Sequence, residues 1–494
     1  MKFLAMFLML AFTVAIFGCT PAGTEPTIQD RIPVGGGSGD RIPVKVPTDP
    51  APTDPAPTDP AQQELRFKIP RSLSDNCVLQ QNSTVNIWGS CTGEGEMKLT
   101  FNGKEYTTYA KDGAFNFRVD TPAGSLTTYE IVISGVYETK TIRNVAVGEV
   151  FLMGGQSNMV FYNTQLTQRP PEATDGGNPY IRFTNTVPYA GLVTEPMEIQ
   201  GNWYVTGNNT FDGMGAFSSW FGRRMFEELQ VPIGLVSCAM SDSTLAAWLT
   251  REDAAGLDRE NVSISEPYHP HTPGQLYNTV LYSYLNYTFR AAVWYQGESS
   301  NHGTYEQNLT HFINCWRKYL NDPDLPFVIV QLPGYGTYDD WPTARQAQKN
   351  VADTLENVAY SVNIDLGEEK DVHPQDKKPA AQRAADVMLN LAFGRDLPEA
   401  AKFVSATKSG DAVTVTFSHG GGLHMKEGAT GLEIRVGGKW TAVDAGRVTV
   451  FDGGLTVSGA AEATALRYAW ASWPTVSLFN GAGLPAEPFM AEFG

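Results

Sequence analysis

The chain has 494 residues, 42% of them hydrophobic and 18% charged, which supplies two or three domains with full cores and excludes a disordered or fibrous protein. A formal net charge of -17 excludes nucleic acid as a partner, because phosphate binding needs a basic surface. The same charge disfavours acidic ligands only weakly, since the potential of a cleft can oppose that of the whole molecule.

The N-terminus, MKFLAMFLMLAFTVAIFGC, places Lys2 ahead of an apolar run too short to span a bilayer, the pattern of an export signal. The run ends Ile16-Phe17-Gly18-Cys19, similar to a bacterial lipoprotein processing box in which Cys19 becomes the lipidated first residue. The sequence thus predicts a signal over residues 1–19, export, and attachment to the cell envelope through the lipid on Cys19 alone. An ordinary cleavable signal is the alternative. Residues 20–65 contain RIPV twice and PTDPAPTDPAPTDPA from Pro47 to Ala61. Such a segment cannot bury a core, and its prolines favour extended geometry, so it reads as a semi-rigid linker. Of the later cysteines, Cys77 and Cys91 are a candidate bridge within one small domain, whereas Cys238 and Cys315 read as buried apolar residues.

From about Phe67 to Thr141 short alternating runs such as Met97–Phe101 and Ala114–Val119 are separated by Asn102-Gly103 and Asp112-Gly113. Alternation punctuated by such turns predicts a small antiparallel β-sandwich over residues 66–144. Residues 145–398 change character, with apolar strand-like runs alternating with helical patterns, the mark of βαβ units and a mainly parallel sheet. The strand candidates are Val145–Met153, Val231–Ala239, Ala291–Tyr295, Phe327–Leu332 and Val358–Ile364. Leu309, Phe312, Ile313, Trp316 and Leu320 recur at helical spacing, and Ala380–Phe393 behaves similarly. Residues 399–494 return to β patterning, with Ala412–Phe417, Leu432–Val436 before Gly437-Gly438, and Val448–Phe451 before Gly453-Gly454.

The first strand of the α/β region ends in GEVFLMGGQSNM, which puts Ser157 on a glycine-rich turn at a carboxyl strand edge, where ligand crevices lie in open α/β sheets. Spacing alone leaves a structural turn serine and a nucleophile about even. Two further polar clusters, VWYQGESSN and DLGEEKDVHPQDKKPAAQR, gather at the same rim. A serine needs a neighbouring base, and that base a carboxylate to fix its tautomer. His373, two residues after Asp371, fills the vacant role. His269 and His271 lack the spacing of a zinc helix, and no metal, nucleotide or other cofactor pattern is present. Met153, Trp294 and Tyr295 read as packing.

The segments GEVFLMGGQSNM, VWYQGES and DLGEEKDVHP resemble the three signature blocks of the sialate O-acetylesterases, in the SGNH hydrolase superfamily. LSDNCVLQQ, IWG, FGRRMFEELQVPIGLV, QLYNTVL, RYAW and LFNGAGLPAEPF extend the resemblance over roughly Ile69 to Phe489. It implies an α/β, flavodoxin-like SGNH hydrolase domain with flanking β-sandwich domains, a carboxylic ester hydrolase with Ser157 as nucleophile, His373 as base and Asp371 as orienting carboxylate. Asp365 and Glu298 remain open as the acid, because superfamily members commonly carry it three residues before the histidine, where this chain has Lys370. The implied oxyanion donors are Ser157, the Ser241-Asp242 turn, which departs from a Gly-Gly-Thr pattern, and Asn301, displaced one residue by Ser300. Gln156, Asn158, Gln296, Glu298 and Trp248 are the implied supporting or substrate-facing residues. The expected partner is an acetylated carbohydrate, sialate by the nearest resemblance. Acetylated xylan or another plant polysaccharide is the alternative, and a non-catalytic carbohydrate-binding lipoprotein is the alternative of another class.

Overall fold

The computed structural model of the chain describes residues 64–167, 177–189, 191–207, 210–258, 271–298, 300, 302–337 and 340–493. The expected signal, Cys19 and nearly all of the linker lie outside the described residues, as do His269 and Asn301.

The fold is mixed α/β with several sheets. Its organising element is a single 17-residue strand, β1 (Thr139–Gly155). The N-terminal half of β1 pairs antiparallel with Ser125–Ser134 and parallel with Val78–Gln80. Its C-terminal half, VFLMGG, is apolar at successive positions and is buried on both faces, as strands inside parallel sheets are. The expected boundary at residues 144/145 therefore falls inside one strand. The N-terminal segment forms a three-stranded sheet of Arg66–Lys68, Thr84–Thr92 and Ala114–Asp120, while Gly95–Phe101, Lys104–Ala110 and Ser125–Ser134 join β1 in an 11-stranded sheet.

Around β1 the parallel sheet contains β2 (Ile181–Thr184), β3 (Trp203–Val205), β4 (Ile233–Ala239), β5 (Ala291–Tyr295), β6 (Phe327–Val330) and β7 (Val358–Ser361), in the order β3-β2-β4-β1-β5-β6-β7. All neighbours are parallel except β2 and β3. The chain first builds the side of β1 that holds β2 to β4, then crosses to β5 and continues outward. The strand order thus reverses at β1, and the crevice that such a reversal opens lies at its carboxyl end.

Helices cover both faces. α1 (Ala216–Leu229) and α4 (Lys378–Phe393) pack Phe217, Phe221, Met225, Ala384 and Met388 on Phe151, Met153 and Val293. α2 (Tyr305–Tyr319) and α3 (Trp341–Thr354) cover the other face, where Phe312, Ile313, Trp316 and Val351 meet Leu152, Trp294 and Ile329. Each such fully buried side chain contributes roughly 1.5–3 kcal/mol. α2 is the helix expected from the Leu309 to Leu320 spacing. The residues after 399 form two four-stranded antiparallel sheets and a two-stranded pair. Leu432–Val436 and Val448–Phe451 keep their expected bounds.

The candidate bridge between Cys77 and Cys91 is not formed: both are free thiols. Cys77 is buried at the lip of Val78–Gln80, where burial pushes its thiol up to about 12, while Cys91 faces Gly93 and Ala114 on Thr84–Thr92. Cys238 and Cys315 are buried, as expected.

Candidate active site

β1 ends in Gly154-Gly155-Gln156 and passes at once into a short helix, Ser157–Val160. Gly155 takes φ +142, and a Cβ there would lie 2.1 Å from the carbonyl oxygen of Tyr295, so only glycine lets the turn lie against the end of β5. Gln156 N–H then donates to Tyr295 O (3.0 Å), and Met240 N–H at the end of β4 donates to Gly155 O (3.1 Å). These bonds fix the turn between the carboxyl ends of its two neighbouring strands.

Ser157 is half-buried at this turn and lines a cavity of about 330 Å³ shared with Glu298, Tyr335, Val372, His373 and the Ser241-Asp242 turn. Its backbone N–H has no acceptor among the described residues, the condition for binding a developing oxyanion. His373 is half-buried on the loop between β7 and α4, its ring stacked on Phe161 at 5.9 Å with 25° between planes. Burial, then the positive charge of Lys377, lower the pKa of the imidazole from its ordinary value, and Asp371 opposes them. A neutral imidazole near pH 7 can accept a proton.

The three carboxylates expected as alternatives for the acid occupy different positions. Asp371 lies nearest: its Oδ1 accepts the backbone N–H of His373 (2.8 Å) and stands 3.8 Å from Nδ1. At that distance it orders the loop and attracts the ring charge without a direct hydrogen bond to the ring. Asp365 is engaged by Arg383 in a two-pronged pair at 2.5 and 2.9 Å. Glu298 lines the cavity, and burial raises its pKa. Its Oε1 accepts from Asn158 Nδ2 (2.6 Å), and its buried Oε2 has no partner among the described residues.

Asn158 is fully buried and joins all three signature segments. Besides Glu298, its Nδ2 donates to Val372 O (3.0 Å), the residue before His373, and its Oδ1 accepts from Lys377 Nζ (2.6 Å). The residue after the serine therefore holds the histidine loop in place. Lys377 is 2% exposed, lies over the Phe161 ring at 4.9 Å, and burial pulls its pKa down to about 7. The sequence reading missed it: a lysine four residues after His373 looks like surface charge, and only the fold puts it under Phe161. Because the charge of Lys377 helps to hold the His373 pKa down, replacing it with methionine removes a positive neighbour. Lys377→Met is expected to raise the His373 pKa and move the acid limb of the kcat/KM profile to higher pH, which a pH titration of activity measures.

The other implied residues divide between cavity and support. Asp242 has left-handed φ (+58), and its side chain is 62% exposed with Oδ2 3.4 Å from His271 Nε2. Its carboxylate thus stands beside the largely buried imidazole of His271, whose side chain is 16% exposed. Gln156 is buried beside the cavity, and its Oε1 receives Gly297 N–H (3.5 Å). Gln296 bonds Ser300 Oγ (2.8 Å) and Tyr305 Oη (2.8 Å). Trp248 does not reach the cavity: it is fully buried against Trp294 and Trp316 and donates to Ser243 Oγ (3.0 Å). It supports the second block from behind, because an indole with a hydrogen-bond partner inside the core has no reason to turn outward.

Residues 147–390 match the family model described as carbohydrate esterase, sialic acid-specific acetylesterase. The chain is 25% identical over 495 residues to the sialate O-acetylesterase of Homo sapiens, covering 86% of this chain and 92% of that protein. To the protein of the same name from Mus musculus it is 25% identical over 433 residues, covering 72% of this chain and 79% of the other. Among solved structures, a carbohydrate acetylesterase from Xanthomonas citri shares the fold with a TM-score of 0.78 at 24% identity, over 86% of this chain and 100% of that one.

Proposed function

We infer that this chain, which carries a carbohydrate esterase domain of the sialic acid-specific acetylesterase family over residues 147–390, is a carbohydrate O-acetylesterase that works through an acetyl-serine intermediate. The observation that carries the serine mechanism is the shared cavity of Ser157 and His373, with Asn158 fastening one loop to the other. His373 takes the proton of Ser157 Oγ as the oxygen adds to the acetyl carbonyl. The Ser157 N–H receives the oxyanion, with backbone donors of the Ser241-Asp242 turn and the side chain of Asn301 as further candidates. The imidazolium returns the proton to the departing sugar oxygen. Water, deprotonated by the same ring, then releases acetate and restores the serine. Asp371 is the candidate for stabilising the imidazolium.

The order of the parallel sheet, with helices on both faces, supports reading the core as a flavodoxin-like SGNH hydrolase domain over residues 145–398, flanked by β-sandwich domains over 66–144 and 399–494, with β1 running across the first boundary. Export and lipid attachment through Cys19 are part of the same proposal, resting on the N-terminal pattern. Acetate release from O-acetylated sialic acid and from acetylated xylan, measured side by side, tests the substrate. Release from the sialic acid alone assigns sialate, release from the xylan alone assigns a neutral polysaccharide, and release from neither contradicts the esterase reading.

A further inference from the structure

Seven of the ten tryptophans are buried, and Trp473 is the most exposed of all, at 44%. It belongs to the β-rich C-terminal region, yet it packs against the loop that carries Tyr335. Tyr335, which lines the catalytic cavity, is flanked by Gly334 and Gly336. A Cβ on Gly334 would lie 2.9 Å from Trp473 Cε3, and one on Gly336 3.7 Å from Trp473 Cβ. Tyr335 N–H donates to Ser472 O (2.9 Å), so the loop carrying Trp473 is bonded to the cavity wall.

That loop is held from below at a high cost. Arg345 of α3 is 1% exposed and has no carboxylate partner among the described residues. Its Nη2 donates to the carbonyls of Ala471 and Ser472, while its buried Nε and Nη1 have no partner among the described residues. A buried guanidinium is expensive to desolvate, and here its hydrogen bonds go to one surface loop. Ala469, at the start of the loop, holds φ +51, a conformation non-glycine residues seldom adopt. Beyond the loop opens a cavity of about 390 Å³, lined by Trp470 and Trp473 together with Thr430, Glu433, Asp444 and Thr475, within the roughly 300–1,000 Å³ of small-ligand pockets.

We propose that Trp473 and Trp470 form a second carbohydrate subsite that binds neutral pyranose units of a glycan whose acetylated sugar occupies the Ser157 cavity. An indole face is apolar and carries a negative quadrupole, and the C–H face of a pyranose is its complement. The exposed Asp444 carboxylate and Thr475 hydroxyl accept from and donate to sugar hydroxyls, while Glu433 is held by Arg467 (2.7 Å) and the Thr430 hydroxyl by Val443 O (2.7 Å). Among the described residues no lysine, arginine or histidine lines the cavity, and the nearby Arg467 is paired with Glu433 at 2.7 Å, so a sugar carboxylate finds no free counter-charge, and neutral units are the chemistry that fits. This subsite rests on the carbohydrate esterase reading and narrows it to substrates longer than one sugar.

The test uses the full chain carrying Ser157→Ala, titrated calorimetrically with xylohexaose, cellohexaose and free N-acetylneuraminic acid. At least one hexasaccharide is expected to bind, and adding Trp473→Ala is expected to weaken it at least tenfold, with Trp473→Phe retaining most of the affinity. Hydrolysis of 4-nitrophenyl acetate by the otherwise unaltered chain reads the esterase activity separately from the subsite. Hexasaccharide binding that is absent or indifferent to Trp473, or Trp473-dependent binding of the sialic acid alone, overturns the proposal. Failure of the unaltered chain to hydrolyse the aryl ester contradicts the esterase reading instead, and the titration still reads the subsite.

Discussion

Replacing Ser157 with alanine is expected to lower kcat for an aryl acetate by about 10⁴-fold or more, the scale seen when a serine nucleophile is removed. The folded state is expected to be unchanged, because Ser157 is half-buried and its side chain bonds no other element among the described residues. His373→Gln removes the base and is expected to cost a similar factor. The double variant is expected to fall little further than either single one, since the two groups act as a unit in one proton transfer. A non-catalytic sugar-binding protein predicts the opposite pattern, with no hydrolysis by the parent chain and glycan binding indifferent to Ser157. Steady-state kinetics beside thermal unfolding of the same preparations separate these cases.

The second large effect is expected at Asn158. Its carboxamide satisfies Glu298, the carbonyl of Val372 and Lys377 at once. Asn158→Ala leaves a carboxylate and an ammonium buried without those hydrogen bonds. Unmet bonds to charged groups cost more than the roughly 1–3 kcal/mol of a neutral buried group, so a loss of about 3 kcal/mol in chemical denaturation is expected. The same change frees the His373 loop, and misplacing a catalytic group by about 1 Å can cost on the order of 100-fold in rate. Asn158 does not touch the reacting atoms, so the rate loss is expected in kcat with KM nearly unchanged. A stability loss with kcat unaltered removes Asn158 from the positioning role.

Much of the fold was legible because its signals are local. Leu432–Val436 and Val448–Phe451 kept their expected bounds because the glycines that follow them sit at positive φ, where the chain has to turn. Val358–Ile364 was read too long: the ladder stops at Ser361, although Val362 and Ile364 stay buried. Apolarity reports burial, and pairing is a separate matter. α3 was missed since WPTARQAQKNVADT looks polar. Its Arg345 and Gln348 are buried and donate to carbonyls of distant segments that no periodicity reveals. The unity of β1 was equally hidden, because a boundary drawn where alternation gives way to an apolar run cuts a strand that serves two sheet regions in succession.

At the site, the serine and histidine segments were visible because each follows a strong strand pattern. Which groups meet around them depends on long-range contacts. Asn158 was named as a supporting residue, but its three-way bonding is a property of the assembled edge. Phe161 and Lys377 carried no signal at all, and Trp248 was drawn toward the substrate by its neighbourhood in sequence while the core claimed it.

The account depends most on the oxygen of Ser157 being activated by His373, and covalent trapping tests this directly. A fluorophosphonate, followed by peptide mass analysis, is expected to place a single adduct on Ser157 and to lose it in His373→Gln. An adduct on a different residue that abolishes acetate release, or full acetate release from protein whose Ser157 is blocked, contradicts it.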